Sequence, residues 1–296
     1  MKIIKLRKFF VILTLVITLA SIIVISIRGF KFSIEFTGGS LLEISYAQGE
    51  RPDIADLREV LEGTEFASSL IQPLGDNGFV LKTETLDDAE KNTLVDLLSQ
   101  TGESMTVERF NSIGPSVGKQ LQTKSLYALI GVSLATLLFI AYAFRKVSGI
   151  VPSWKYGLIA VGLLVHDILV TVGILTLLSI EVDTLYVVGL LSILGLSINN
   201  TVVVFDRIRE NLLSQKHISK DEFLSLVGNA VTQTLHRSIL MSLTLVFALA
   251  ALLFVGPDST KNLSLVLLIG IFVGTYSSIL LSSSLLSYMF KESAKK

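Results

Sequence analysis

The chain of 296 residues contains no cysteine, and its histidines stand only at positions 166, 217 and 236. The absence of cysteine excludes disulfide scaffolds, thiolate metal sites and cysteine nucleophiles. Three histidines so far apart do not form a metal cluster. The sequence also lacks the P-loop and dinucleotide-binding fingerprints. We therefore expect no metal, no cofactor and no nucleic-acid partner, and energy for any work would come from a partner or an ion gradient.

Apolar residues are what the chain has in excess, with 51% hydrophobic and only 17% charged residues. Six apolar runs are long enough to cross a bilayer, which takes about 20 helical residues. They cover residues 9–28, 125–144, 156–179, 184–205, 238–256 and 263–289. The first lacks a small-residue cleavage site before Arg28, so we interpret it as a retained anchor. The sequence thus predicts a polytopic α-helical membrane protein with six transmembrane helices.

Charge is unevenly distributed along the chain. Residues 29–124 contain 16 acidic and 8 basic residues, and the remainder contains 17 basic and 9 acidic residues. With six spans, the basic clusters fall on one side, which the positive-inside rule makes cytoplasmic. The predicted segments are a cytoplasmic N-terminus with the first span (1–29), an extracytoplasmic domain (30–122), a five-helix bundle (123–290) with a cytoplasmic amphipathic loop (206–236), and a cytoplasmic tail (291–296).

The extracytoplasmic domain shows alternating strand patterns and two helical patterns. The predicted strands are Leu41–Tyr46, Ala67–Leu74, Gly78–Thr83 and Met105–Phe110, and the predicted helices are Pro52–Leu61 and Leu86–Leu98. The order β-α-β-β-α-β is typical of a ferredoxin-like fold. The domain carries no catalytic constellation.

An acid, Asp167, lies near the middle of the third span beside His166. Intramembrane acids are costly and normally face the bundle interior or a hydrated cavity. Asp167 is therefore either a proton-carrying or gating carboxyl, or a neutral acid bonded to a neighbouring helix. Thr171 shares its face, four residues on. For His166, a buried hydrogen bond between helices is the favoured role.

Two amides, Asn199 and Asn200, lie in the fourth span. Ser192, Gly195 and Asn199 share one face, which favours close helix approach with the amide as interhelical glue. The alternative places both amides beside a hydrated path.

Arg237 opens the fifth span, four residues after Gln233. From the residues alone Arg237 is an ordinary positive flank. The alternative is that the side chains of Gln233 and Arg237 both point towards Asn199 and Asn200.

Two helical patterns remain. Ser219 and Glu222 form a capping box, and an apolar stripe follows, which predicts a helix lying on the membrane or on a partner. The stripe consists of Phe223, Leu226, Val227 and Ala230. In the sixth span Gly270, Gly274, Ser278 and Ser282 recur every four residues, a small-residue packing face within the chain or between subunits.

Five motifs, taken together and in order, resemble the SecF branch of the SecD/SecF family within the RND-type transporter superfamily. They are FSIEFTGGS with Gly38 and Gly39, SIGPSVGKQL, VHDILVTVG, GLSINNTVVVFDRIREN with Asp206 and Arg207, and AVTQTLHRSILMSLT. The resemblance covers nearly the whole chain.

The resemblance implies a non-enzymatic, multi-pass subunit of the bacterial cytoplasmic (inner) membrane. It would pair with a SecD subunit, associate with the SecYEG channel and commonly YajC, and assist late, proton-gradient-coupled translocation of unfolded preproteins. The family usually has Asn-Asp where this chain has Asn199-Asn200, and associates that acid and the arginine matching Arg237 with proton passage. Because Asn200 cannot titrate, either the partner's acid carries the protons alone, or Asp167 contributes, or coupling is weak, and we hypothesise the first.

Three other functions compete with this interpretation. The first is a half-subunit of an RND-type exporter of lipids or small molecules, although such exporters usually carry both halves in one chain. The second is a non-transporting scaffold of the export channel. The third is an intramembrane hydrolase, against which stands the lack of paired carboxylates or a positioned nucleophile around His166 and Asp167.

Overall fold

The computed structural model of the protein describes residues 2–102, 104–143, 151–213, 215 and 218–290. The predicted tail 291–296 and part of the predicted loop 206–236 lie outside these residues. The elements are, in chain order, α1 Lys2–Lys5, α2 Arg7–Arg28, α3 Ile34–Thr37, β1 Gly39–Ser45, α4 Ile54–Leu61, β2 Leu70–Leu74, β3 Gly78–Thr83, α5 Asp88–Ser99, β4 Thr106–Ile113, α6 Pro115–Ala143, α7 Ser153–Leu177, α8 Thr184–Leu213, α9 Lys220–Val255, α10 Asp258–Tyr276, a π-helical turn Ser277–Leu281, and α11 Ser282–Tyr288.

The chain divides into two compact units. The first, the helical bundle, comprises Met1–Lys31 and Leu126–Lys296, and the second, the sheet unit, comprises Phe32–Ser125. The described residues contain six helices long and apolar enough to cross a membrane. They are α2, α6, α7, α8, α9 and the continuous segment Ser259–Tyr288. The predicted polytopic helical architecture is confirmed.

Helices of the bundle meet where one of them carries a small residue. A Cβ atom added at Gly173 of α7 would lie 2.6 Å from the Cβ of Ser21 in α2, and one at Gly157 would lie 3.0 Å from the carbonyl oxygen of Leu137 in α6. Large apolar side chains instead point outward, as Ile12, Phe139 and Phe254 do. Small residues at helix contacts and large apolar residues on the lipid-facing surface are what lipid as a solvent favours, and the bundle also buries large apolar side chains such as Tyr156 and Phe205.

The fourth and fifth spans continue far beyond a bilayer core. Helix α9 has 36 residues, which makes it about 54 Å long against a hydrocarbon core of about 30 Å. Ser219 caps it with the predicted capping box. The expected surface helix is therefore wrong: Phe223, Val227 and Ala230 are buried in the chain's own core. The stripe packs beside Phe205 and Leu212 because α8 extends equally far.

The sheet unit has the predicted order of strands and helices, with the additional short helix α3 before β1. Its four strands lie in the order β2-β3-β1-β4, and every neighbouring pair is antiparallel. Capping boxes begin α4 at Asp53 and α5 at Asp87. Both helices bury apolar side chains against the sheet, as Leu57 and Leu94 show. Strand β2 begins at Leu70 rather than at the predicted Ala67, since residues 64–68 form turns.

The paired glycines Gly38 and Gly39 connect α3 to β1. Both have positive φ angles, 81° and 127°, which favour glycine because a side chain there is strained. A Cβ at Gly38 would also lie 2.7 Å from the Cα of Pro115, and one at Gly39 would lie 2.7 Å from the carbonyl oxygen of Thr83. Glycine is therefore required twice over at this junction, by backbone conformation and by space.

Candidate functional site

The buried acid Asp167 lies inside the bundle. Its side chain is fully buried on α7, and one carboxyl oxygen, Oδ2, accepts a hydrogen bond from the hydroxyl of Ser197 on α8. The other oxygen, Oδ1, has no hydrogen-bond partner among the described residues, and neither has the hydroxyl of Thr171, one turn along. The expected bond from Asp167 to a neighbouring helix is present, and half of the carboxyl group remains unsatisfied.

The small residues of α10 bring this helix against α8. A Cβ at Gly270 would lie 2.1 Å from Cδ1 of Ile193, and one at Gly274 would lie 3.2 Å from the Cβ of Ser197. Ser278 and Ser282 are also fully buried. The predicted packing face therefore operates within the chain, and Gly274 lies where Ser197 meets Asp167.

The two asparagines lie beside the same contact. Asn199 is exposed and Asn200 is half-buried. Both line a narrow cleft of about 30 Å³ between α8, α9 and α10, together with Ser197, Ser242 and Gly274. Among the described residues neither amide bridges two helices, so they are not interhelical glue within this part of the chain.

The face of α8 that carries small residues was expected to contact another helix, but it is exposed on the surface of the bundle. Ser192 and Gly195 are exposed like Asn199, and a Cβ at Gly195 would meet nothing within 4 Å. The α8 residues that meet α10 are instead Ile193 and Ser197. A polar stripe of small residues thus lies on a membrane span without a partner from the described chain.

Gln233 bonds to α8 well away from the asparagines. Its amide oxygen accepts from Nε of Arg207 at 2.6 Å and from Nδ2 of Asn211 at 3.3 Å. Arg207 lies seven residues beyond Asn200, which is about 10 Å along the helix axis. The structure therefore does not bring Gln233 to Asn200.

The remaining charged residues of this region are exposed or half-buried. Arg237 is exposed one turn along α9 from Gln233. Asp206 forms an ion pair with Arg209 at 2.5 Å, and Arg207 forms one with Glu210 at 2.5 Å. These pairs hold neighbouring turns of α8 together, and exposed pairs of this kind contribute little stability.

His166 connects three helices, as its predicted role requires. Its Nδ1 lies 2.6 Å from the hydroxyl oxygen of Thr18 on α2, and its Nε2 is bonded to the hydroxyl of Tyr276 on α10. The Thr18 hydroxyl donates its single hydrogen to the carbonyl oxygen of Thr14 at 2.8 Å. Thr18 must then accept from Nδ1–H, and Nε2 must accept from Tyr276. The network therefore assigns a neutral imidazole that is protonated at Nδ1.

The π-helical turn was not anticipated from the sequence. It interrupts the sixth span at Ser277–Leu281, and the buried serines around it donate to carbonyl oxygens of their own helix. Ser277 is fully buried there. The serine repeat at four-residue spacing gives no signal for the extra residue of a π turn, because the same spacing continues an α-helix.

No metal centre is found in the part of the chain that the structure describes: it contains no group of three or more His, Asp or Glu side chains able to hold an ion. What the arrangement offers is a buried carboxyl group, a hydroxyl that contacts it, and a small amide-lined cleft. A carboxyl group and a hydroxyl group are chemically able to hold and pass protons. Fold and site define a polytopic membrane protein built from a six-helix unit with one small inserted sheet domain.

Comparisons with known proteins identify the family. Residues 93–292 match the family described as Protein export membrane protein SecD/SecF, C-terminal, and residues 23–50 match the SecD/SecF GG Motif, which includes Gly38 and Gly39. The chain belongs to the SecD/SecF family of protein-export membrane proteins.

Curated relatives support this assignment over nearly the whole chain. Protein translocase subunit SecF of Desulfurispirillum indicum is 33% identical over 292 residues, covering 96% of this chain and 90% of the relative. The SecF subunit of Thermobaculum terrenum is 35% identical over 300 residues, covering 96% and 92%.

Solved structures agree with the sequence relatives. The crystal structure of SecDF, a translocon-associated membrane protein from Thermus thermophilus, superposes with a TM-score of 0.82 at 30% identity and covers 97% of this chain. A SecDF structure in a super-membrane-facing form gives a TM-score of 0.68. This chain spans only 38% of the length of either SecDF chain.

Proposed function

We propose that this chain is the SecF-type subunit of the Sec protein-export machinery and assists preprotein translocation across the bacterial cytoplasmic membrane together with a SecD-like subunit. Family membership and relatives named as SecF translocase subunits support this role. The chain's contribution is mechanical and electrostatic, and no catalytic step belongs to it.

A polar stripe in a membrane span is the observation that carries the proposal. Ser192, Gly195 and Asn199 are exposed on α8, and the half-buried Asn200 adjoins them. An amide facing lipid lacks hydrogen-bond partners and is costly. A second membrane subunit that packs on this stripe removes that cost, and small residues allow its helix to come close.

The partner proposed for this stripe is a SecD-like subunit. The SecDF chains are far longer than this one, and this chain covers 38% of them. We propose that the partner of this chain resembles the part of such a SecDF chain that this chain does not cover. The name of the Thermus protein describes it as translocon-associated, which supports contact with a SecYEG channel; YajC and unfolded preproteins complete the proposed set of partners.

The orientation proposed is that of the basic clusters. Both termini are cytoplasmic and the sheet unit is extracytoplasmic, where it meets the emerging preprotein. The strand order β2-β3-β1-β4 with all neighbours antiparallel supports a ferredoxin-like assignment for this unit, since that fold places β1 in the sheet between β3 and β4.

Proton coupling is proposed to occur at the interface between this chain and its partner. The cleft lined by Asn199 and Asn200 provides amide groups and no acid, so the titrating carboxyl there comes from the partner. Arg237, exposed at the beginning of the fifth span, supplies the positive charge that favours the ionised form of such an acid.

Copurification tests the proposal most directly. The tagged full-length chain, extracted in mild detergent, is expected to bring a SecD-like subunit and the SecY channel with it in mass spectrometry. The variant Gly195→Trp should lose the SecD-like subunit, because its side chain blocks the stripe. The matched variant Leu138→Trp changes an exposed lipid-facing residue of α6 and should keep it. Recovery of a lipid- or drug-export partner instead would overturn the proposal.

The Asn200→Asp substitution tests which chain supplies the acid. If the partner's acid is sufficient, the substitution should change proton-driven export by no more than about twofold, since one carboxyl near an arginine already alternates between charged and neutral forms. Export of a reporter preprotein into inverted membrane vesicles, with and without a proton gradient, measures the effect. A large gain would show that this chain lacks a proton site it needs.

A further inference from the structure

The environment of Asp167 is unusual for an ionised acid. Its side chain is fully buried, and among the described residues it takes part in no ion pair. The Ser197 hydroxyl donates to it at Oδ2, the Ser277 hydroxyl also interacts with the carboxyl group, and Oδ1 has no hydrogen-bond partner among the described residues. A buried carboxylate without a cation is severely destabilised by the loss of hydration. This environment favours the protonated form of Asp167.

The neighbouring titratable groups do not take that proton. His166 on α7 and Tyr276 on α10 are bonded to one another, and the other imidazole nitrogen donates to Thr18. These bonds are complete with a neutral imidazole and a neutral phenol. The proton on Asp167 is thus not shared with the histidine network.

A route to the carboxyl group leads through Ser197. Ser197 lines the cleft that contains Asn199 and Asn200, and its hydroxyl is hydrogen-bonded to Asp167. The cleft volume of about 30 Å³ is enough for a water molecule with polar partners. Gly274 keeps this junction open, since even a Cβ there would lie 3.2 Å from the Cβ of Ser197 and 3.6 Å from Oδ2 of Asp167.

We propose that Asp167 is a proton-binding site of this chain that exchanges its proton with the amide-lined cleft through the Ser197 hydroxyl. A hydronium ion in the cleft gives a proton to Ser197 Oγ and remains as water, while the hydrogen already on that oxygen passes to the carboxylate of Asp167. Reversal of both transfers releases the proton, and Ser197 is unchanged by the cycle. The site supplies a proton acceptor in addition to the partner's carboxyl group, and this purpose rests on the proposed proton coupling.

Infrared difference spectroscopy of the purified full-length chain in lipid tests the site without any partner. At neutral pH the wild-type protein should show the absorption of a protonated carboxyl group, and Asp167→Asn should remove it. Ser197→Ala should move the band to higher frequency, because a hydrogen bond to the carboxyl is lost. Ser242→Ala is the matched control: Ser242 lines the same cleft but accepts from Thr275 at 2.7 Å, so the band should stay. Asp206→Asn, which changes an exposed acid, should also leave it.

Deuterium exchange tests the route. Transfer of the wild-type protein to D2O should shift the band to lower frequency promptly, and Gly274→Ala or Ser197→Ala should slow the shift by roughly tenfold or more, which is a rise in barrier of about 1.4 kcal/mol. A wild-type protein without the band overturns the bound proton, and a band that does not exchange overturns the route. Both outcomes are independent of export activity and of any SecD-like partner, and the wild-type measurements decide the case even if Asp167→Asn does not fold.

Discussion

The two units of this protein both bury apolar residues but differ in the polar residues that they bury. The core of the sheet unit is apolar, built from side chains such as Leu57, Phe79 and Leu94. Its buried polar groups include Ser40, which is hydrogen-bonded to Ser112 and to the backbone N–H of Leu86, and Tyr46, whose hydroxyl is hydrogen-bonded to Thr101. The helical bundle buries Asp167, His166 and a long series of serines and threonines, and exposes large apolar residues.

The difference follows from the solvent that each unit is built for. In water, removing apolar surface provides the main driving force for folding. In lipid, an apolar side chain gains little by moving from acyl chains to a protein interior, so close contact of small residues and hydrogen bonds between helices take over. Hydrogen-bonded polar residues can then be buried in the bundle core more readily than in the core of a sheet domain in water. This makes a buried proton site possible.

The largest expected effect uses the same residue type in both units. Phe79→Ala removes a fully buried ring from the sheet unit and should lower its stability by about 3–5 kcal/mol, as for other large-to-small core changes. Phe139→Ala removes a ring that is 62% exposed on α6 and should change bundle stability by less than about 0.5 kcal/mol in lipid. Hydrogen exchange of the strands and the melting temperature in lipid nanodiscs measure the two effects. Equal losses would contradict the solvent argument.

A smaller effect is expected from filling a helix contact in the bundle. Gly270→Ala places a Cβ about where Ile193 lies and should cost about 1–3 kcal/mol by overpacking. Gly195→Ala is the matched control on the open stripe, where nothing lies within 4 Å, and should be neutral. The thermal stability of the purified variants measures both.

A second substitution sharpens this result. Combining Gly270→Ala with Ile193→Val shortens the side chain that the new Cβ meets and should restore part of the loss. A Gly270→Ala protein as stable as the wild type would mean that α8 and α10 are not in close contact.

Local signals in the sequence predicted local structure well. The capping box at Ser219 and Glu222 begins α9, and the strand and helix order of the sheet unit follows from alternation and helical spacing. The predicted role of His166 is also correct, because a polar side chain inside a span needs a partner. Periodicity indicates which residues share one face of a helix or strand, and the features named above depend mainly on that local pattern.

Which helix meets that face is not contained in the pattern. Thr18 and Tyr276 lie 148 and 110 residues from His166 along the chain, and nothing in their own spacing connects them to it. The stripe through Phe223 was assigned to a membrane surface, because amphipathicity is the same whether the apolar face meets lipid or another helix of the chain. The open stripe through Gly195 was expected to pack against another helix, because a face of small residues has the same pattern whether or not a helix of this chain lies against it.

The smallest expected effect concerns the bond between Thr18 and His166. Thr18→Val keeps the shape of the side chain and removes a hydrogen bond between α2 and α7. Hydrogen bonds between membrane helices contribute only about 0.6 kcal/mol on average, so the loss of bundle stability should be of that size. Thr14→Val is the matched control, since its hydroxyl bonds only to Phe10 of its own helix, and should cost less.

The reason for so small a loss is that His166 can rearrange. With no acceptor left at Thr18, the imidazole proton should move from Nδ1 to Nε2, where it donates to the hydroxyl oxygen of Tyr276. Nitrogen NMR of the labelled histidine distinguishes the two tautomers, and the Thr18→Val protein should show the Nε2–H form while the wild type and Thr14→Val show Nδ1–H. A loss above about 2 kcal/mol, the cost of a buried donor left without a partner, would mean that Tyr276 cannot act as the acceptor and that the network holds its proton in only one arrangement.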